Sequence, residues 1–82
     1  MNELVALSAL RPGEGGVVQR MRGAEALLRR LRDLGLIEGA AVRCLGRSPG
    51  GDPAAYLVCG TVLALRGRDC AQILLRREGG AP

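Results

Sequence analysis

The stretch GAEALLRRLRDLGLIEG, Gly23 to Gly39, constrains this chain more than any other. Ala24, Leu27, Leu28, Leu31 and Leu34 recur at helical spacing and cover an arc of about 120°. A helix over Gly23–Leu34 follows, with Gly23 as its N-cap. Glu25 in the first turn and Arg32 in the last suit the helix dipole. Gly35 supplies the left-handed residue of a Schellman-type stop, and Leu36 folds back on Leu31. Ile37-Glu38-Gly39 then turns the chain, with Gly39 at positive φ. The helix is short and its exit direction is set, so the next segment must pack close beside it.

The rest of the chain, from Ala41 onward, reads as strands. Ala41–Gly46 alternates Val42 and Cys44 against Arg43 and Leu45. Arg47–Pro53, RSPGGDP, is a loop. AAYLVCGTVLALR forms a hairpin turning at Cys59-Gly60, which pairs Leu57 with Val62 and Tyr56 with Leu63. Cys59 is a poor residue for a primed turn, which leaves that register open. Both hairpin faces are apolar, so one lines the core and the other needs a cover from the helix or another molecule. Gly67–Cys70 is a tight connector, and Ala71–Arg76 is a last strand. Before the helix, Val17–Met21 is a first strand, and Pro12-Gly13 marks a turn. Leu7 and Leu10 plug one end of the core.

Strand, helix and four more short strands in 82 residues make one domain, residues 1–82, with residues 77–82 as a frayed tail. The fold class is mainly β. A chain this short buries roughly 60–65% of its unfolded surface, so its core is small. Strands of this length must curl to bury one face. The economical solution is a small, partly open SH3-like barrel of about five strands, with one α-helix between the first and second.

The residue inventory excludes whole classes of function. There is no His, so the commonest general base and neutral metal ligand are missing. With no Lys there is neither a phosphate-binding GxxxxGK[ST] loop nor a Schiff base. GEGGVV fails as a dinucleotide fingerprint, because Val18 stands where the third glycine belongs. Ser8 and Ser48 lack a His partner for nucleophilic activation, and so small a core offers no substrate pocket. The expectation is that this chain is not an enzyme. One aromatic residue, Tyr56, provides no stacking platform, and no helix-turn-helix pattern occurs, so nucleic acid is a poor partner despite the net charge of +4. MNELVALSAL has no basic n-region and does not read as a signal peptide. The longest uncharged run, Pro53 to Leu65, is too short for a membrane helix. A cytoplasmic location without membrane insertion is the expectation.

Two constellations remain as sites. Arg29, Arg30 and Arg32 lie outside the apolar arc, with Arg20 and Arg22 just upstream. Either they form a solvated face steadied by a Glu25–Arg29 pair worth about 0.3–0.5 kcal/mol, or they meet an acidic partner surface. Cys44, Cys59 and Cys70 are odd in number and widely spaced, which fits neither a disulfide framework nor a metal knuckle. Small buried hydrophobes are the plain account. The alternative is ligation of Fe(II) or another divalent transition metal by these thiols with Asp52 or Asp69, which only the fold could assemble.

Four motifs in order, from Leu7 to about Arg76, carry a resemblance. They are Leu-x-x-Leu-x-Pro-Gly-Glu at Leu7–Glu14, Arg-Leu-x-Asp-Leu-Gly-Leu at Arg30–Leu36, Asp52-Pro53, and Ala-Leu-Arg at Ala64–Arg66 followed by Ala71 and Ile73. Together they resemble FeoA-like domains, small SH3-like proteins of bacterial ferrous-iron transport. Glu38-Gly39 departs from the family's more usual Pro-Gly. The resemblance implies a cytosolic accessory of the membrane ferrous-iron permease, a transporter with a GTP-binding domain, acting by binding. Residues expected to dock are Arg29, Arg30, Arg32, Asp33 and Leu36, with Tyr56 on the hairpin. The hairpin could instead join copies of the chain in a homo-oligomer. The fold also resembles the C-terminal domain of metal-dependent repressors, which makes a transition-metal-binding or sensing domain the alternative.

Overall fold

A computed structural model describes residues 3–77. Among the described residues, six antiparallel strands form one open sheet in the order β1-β6-β2-β3-β4-β5. Along the chain they are β1 (Leu4–Ala6), β2 (Gly15–Met21), β3 (Ala41–Arg47), β4 (Ala54–Val58), β5 (Thr61–Leu65) and β6 (Ile73–Arg77). Helix α1 (Glu25–Asp33) separates β2 from β3, and the short α2 (Gly67–Cys70) separates β5 from β6. The expected five strands become six because Leu4–Ala6 pairs with Leu74–Arg76 of β6. Three residues are too few for a period-2 pattern to show.

The N-terminal motif is a plug and a turn. Leu7 and Leu10 are fully buried, the first opening a 3₁₀ turn at Leu7–Ala9 and the second capping its end. Arg11-Pro12-Gly13-Glu14 closes with Glu14 N–H donating to the Arg11 carbonyl at 2.9 Å. Gly13 has φ +92, as a Pro-Gly turn of type II requires at its third residue. Glu14 Oε1 also accepts from Arg11 N–H at 2.8 Å, so the acid of the motif holds its own turn.

Strand β2 is the hinge of the barrel. Its first half pairs with both β3 and β6, its second half with β6 alone, and a bulge between Val18 and Arg20 bends it. Gly16 sits where the strands press closest: a Cβ there would lie 2.5 Å from the Arg76 carbonyl oxygen. The curl encloses Val18, Leu31, Leu36, Val42, Tyr56, Val58, Leu65, Ile73 and Leu75, each at least 94% buried. At roughly 25 cal/mol per Å² of apolar area, each large side chain contributes about 2 kcal/mol.

Helix α1 ends as its sequence dictates. Leu36 N–H reaches the Leu31 carbonyl and Gly35 N–H the Arg32 carbonyl, both at 2.9 Å, which is the paired bonding of a Schellman motif. Its start differs from expectation. Ala24 is the N-cap, without a side-chain cap, and Gly23 precedes it at φ +117. The apolar arc also narrows. Leu31 is buried and Leu27 packs partly, whereas Ala24 is exposed and Leu34 is 41% exposed. Leu36 takes the inward place instead, because the stop swings the chain back under the helix.

The hairpin register is the one the sequence suggested: Leu57 faces Val62 and Tyr56 faces Leu63. Cys59 (φ 52) and Gly60 (φ 79) both take positive φ, as a two-residue primed turn demands. The expected connector Gly67–Cys70 is a single helical turn, which seats Cys70 in the core. Ala71 and Gln72 complete that turn, so the last strand starts at Ile73 and extends to Arg77. Arg77 belongs to β6 and lies 3.8 Å from Glu14. The rest of the expected tail, residues 78–82, lies outside the described residues.

Candidate docking surface

The C-terminal end of α1 gathers charge and apolar surface. Arg29, Arg30, Arg32 and Asp33 are exposed, as are Arg20 and Arg22 at the end of β2 and just after it. Arg30 Nη2 lies 3.5 Å from Asp69 Oδ2, joining α1 to α2. Its guanidinium is mostly exposed, so the pair contributes at most about 1 kcal/mol. Among the described residues, no ion pair links Glu25 to Arg29. Arg29 and Arg32 therefore point their charge at solvent. Beside them stand Leu34 and Ile37, 41% and 50% exposed. Arg32, Ile37, Glu38 and Met21 line a cleft of about 260 Å³.

Of the residues the sequence nominated for docking, two are withdrawn by burial. Leu36 is 0% exposed and Tyr56 1%. The outward apolar positions are their neighbours, Leu34 and Ile37 at the helix stop and Leu57 and Val62 on the hairpin. The stop itself is rigid: Gly35 lies against the hairpin turn, with the Cys59 Sγ 3.9 Å from its carbonyl oxygen.

The outer face of β3, β4 and β5 is a second apolar strip. Leu45, Ala55 and Ala64 border a groove of about 400 Å³ with Pro53 and Ser48, whose Oγ is buried without a hydrogen-bond partner. Long-range polar contacts hold the frame behind it. Arg47 Nη2 donates to the carbonyls of Ser8 (3.0 Å) and Leu10, tying β3 to the N-terminal plug. Arg43 Nη1 donates to the Gly13 carbonyl at 2.7 Å. Asp52 Oδ1 accepts from Gly67 N–H at 2.7 Å and so joins the β3–β4 loop to α2. None of these ties is visible in sequence, because each partner lies 15 or more residues away.

Two thiols flank Tyr56 in the core and the third lies at the surface. Cys44 and Cys70 are buried, and Cys59 is exposed in the hairpin turn. The Tyr56 hydroxyl donates to the Cys70 sulfur. Burial, reinforced by that bond, holds Tyr56 far above the usual phenol range. Burial also raises Cys70, opposed by the bond to Tyr56. Among the described residues, no three Cys, Asp or Glu side chains converge as a metal site. Cys44, Cys59, Cys70 and Asp52 are thus not assembled into one donor set, and Asp69 is turned toward Arg30.

Among the described residues, a curled six-stranded sheet with one main helix and an exposed basic and apolar edge makes a small SH3-like domain. The chain belongs to the FeoA domain family, whose model matches residues 5–77. A FeoA protein from Chlorobium tepidum is 32% identical over 95% of this chain and 74% of its own, with a TM-score of 0.89. The FeoA of Stenotrophomonas maltophilia, solved with zinc, is 32% identical over 94% of this chain and 99% of its own, with a TM-score of 0.75. It is described as a prokaryotic SH3 domain protein with a suggested role as a ferrous-iron transport activating factor. A manganese-dependent transcriptional repressor shares the fold, with a TM-score of 0.83 at 19% identity over 93% of this chain and 42% of its own. A search of curated proteins finds no match. Among the described residues no helix is long and apolar enough to cross a membrane.

Proposed function

We propose that this chain is a non-enzymatic cytoplasmic accessory of ferrous-iron uptake. It docks on the membrane ferrous-iron permease and modulates its GTP-driven or gated transport. Family membership supports the iron-uptake role, and one observation carries the docking mode. Arg29 and Arg32 present charge beside the exposed Leu34 and Ile37, on a helix end made rigid by its Schellman stop. Apolar contact supplies affinity at such a surface, and the arginines set orientation and on-rate against an acidic partner. Asp33 and the Asp69-paired Arg30 border the same edge and limit which charge patterns fit. The metal-sensing alternative has less support, because its candidate donors are spread between the core, the hairpin turn and a loop cap.

Co-purification of the chain with its permease, with and without Fe(II), tests the proposal. Capture that falls at least tenfold for Arg29→Glu/Arg32→Glu, with the circular dichroism spectrum unchanged, supports docking through the helix end. Equal capture of wild type and variant rejects this surface. No capture by a folded, nucleotide-binding permease rejects the function.

A further inference from the structure

The sheet has two free edges, and they differ. The β1 edge is three residues long and begins beside the charged Glu3. The β5 edge is Thr61-Val62-Leu63-Ala64-Leu65, with no charge, no proline and no bulge. Proteins ordinarily guard edges with one of those devices, because an unguarded edge templates another strand.

We propose that β5 pairs antiparallel with β5 of a second copy of this chain, about a two-fold axis at Leu63. The register follows from the hairpin. Val58 and Thr61 close a two-residue loop, and a closing pair of that kind exchanges both its hydrogen bonds. Alternation then turns the N–H and C=O groups of Thr61, Leu63 and Leu65 toward β4. Those of Val62 and Ala64 point outward, off the sheet. An axis at Leu63 sets Val62 opposite the partner's Ala64 and Ala64 opposite the partner's Val62. Each outward N–H then meets an outward C=O, and none of these four residues' edge groups is left over.

The side chains agree with that register. Val62, 61% exposed, and Ala64 lie on the outer face, where directly opposed residues touch. Ala64 also floors the groove beside Leu45 and Pro53. The partner's Val62 therefore walls that groove and covers the outer apolar strip, which the helix does not reach. Arg66 and Arg68 lie past the end of the strand and are exposed, and Arg47, which also lines the groove, is held by the Ser8 and Leu10 carbonyls. Five residues make a small interface, so the dimer is weak and concentration-dependent. The β5 edge is a different surface from the helix end, so the dimer stands apart from the transporter reading.

Sedimentation equilibrium of the reduced protein, from about 10 μM to about 1 mM, together with amide NMR, tests it. Wild type self-associates, and Ala64→Pro and Val62→Lys each raise the dissociation constant at least tenfold. Ala64→Pro removes an outward N–H and spares the β4 ladder; Val62→Lys covers the case in which the proline disturbs the fold. The Val62 and Ala64 amides gain exchange protection as concentration rises, whereas the Leu63 amide is protected throughout. A monomer over the whole range overturns the proposal. So does a dimer that persists in both folded variants, or one in which the Val62 and Ala64 amides do not respond to concentration.

Discussion

Gly16 shows how single residues hold this barrel. Its missing side chain lets β2 and β6 approach at a distance no Cβ tolerates, against the Arg76 carbonyl and the buried Leu75 side chain. Gly16→Ala should lower stability by about 2–3 kcal/mol in urea denaturation, since the Arg76 carbonyl cannot step aside without breaking the ladder. Cys70 offers a second residue-scale check. Its folded pKa is raised by burial above the ordinary thiol value of 9.0, and that of Tyr56 above 10.0. A raised acid stabilises the fold fully below its unfolded pKa, and that stability is lost as pH climbs through the folded one. The unfolding free energy should therefore begin to fall above about pH 9 and fall further above about pH 10. In Cys70→Ala the first step of the stability–pH curve should vanish and the tyrosine step remain. A curve for Cys70→Ala parallel to that of wild type through pH 9–10 would refute the assignment. The CxxC-free spacing of the thiols gave no hint of this Tyr56–Cys70 contact, because it joins two elements.

At the scale of elements, the connections matter more than the strands. Helix α1 is nine residues long, too short to stand alone in water, and keeps its place through Leu31, Leu36 and the Schellman bonds. Helix α2 is shorter still and lacks a side-chain cap of its own, so Asp52 supplies one from the β3–β4 loop. Asp52→Ala should cost about 1 kcal/mol and raise hydrogen exchange across Gly67–Cys70 before the sheet is affected. If exchange there is unchanged, the cap is incidental. Reversal of Arg29 and Arg32 belongs to this scale too. Both are exposed, so thermal stability should move by less than about 0.5 kcal/mol while capture by the permease falls.

For the molecule as a whole, closure is the central problem. The sheet is open, and β1 and β5 are its ends rather than partners. Arg47 spans part of that opening by binding the Ser8 and Leu10 carbonyls around the plug. Arg47→Met keeps most of the side chain's bulk and removes the donors. It should lower the unfolding free energy by about 1–3 kcal/mol and loosen the Leu7–Leu10 segment first. Equal protection of that segment in wild type and variant would show that Leu7 and Leu10 hold it by packing alone. The outer surface divides in the same way, with the helix end facing the proposed transporter and the β5 edge facing a second copy.

Local grammar was legible in the sequence by itself. The helix stop, the Pro-Gly turn and the hairpin turn at Cys59-Gly60, whose register the unusual Cys59 left open, all depend on residues within a few positions of one another. The four motifs were enough to indicate the family. Only the tertiary structure decided which side of each element faces inward. Tyr56 and Leu57 alternate on a strand apolar on both faces, and Leu34 and Leu36 flank a stop that reverses the chain. In neither case does periodicity carry the sign. The Arg47 clamp, the Asp52 cap, the Arg30–Asp69 pair and the separation of the thiols were also beyond reach. Each links segments far apart in the chain, and which groups meet is set by how the sheet curls.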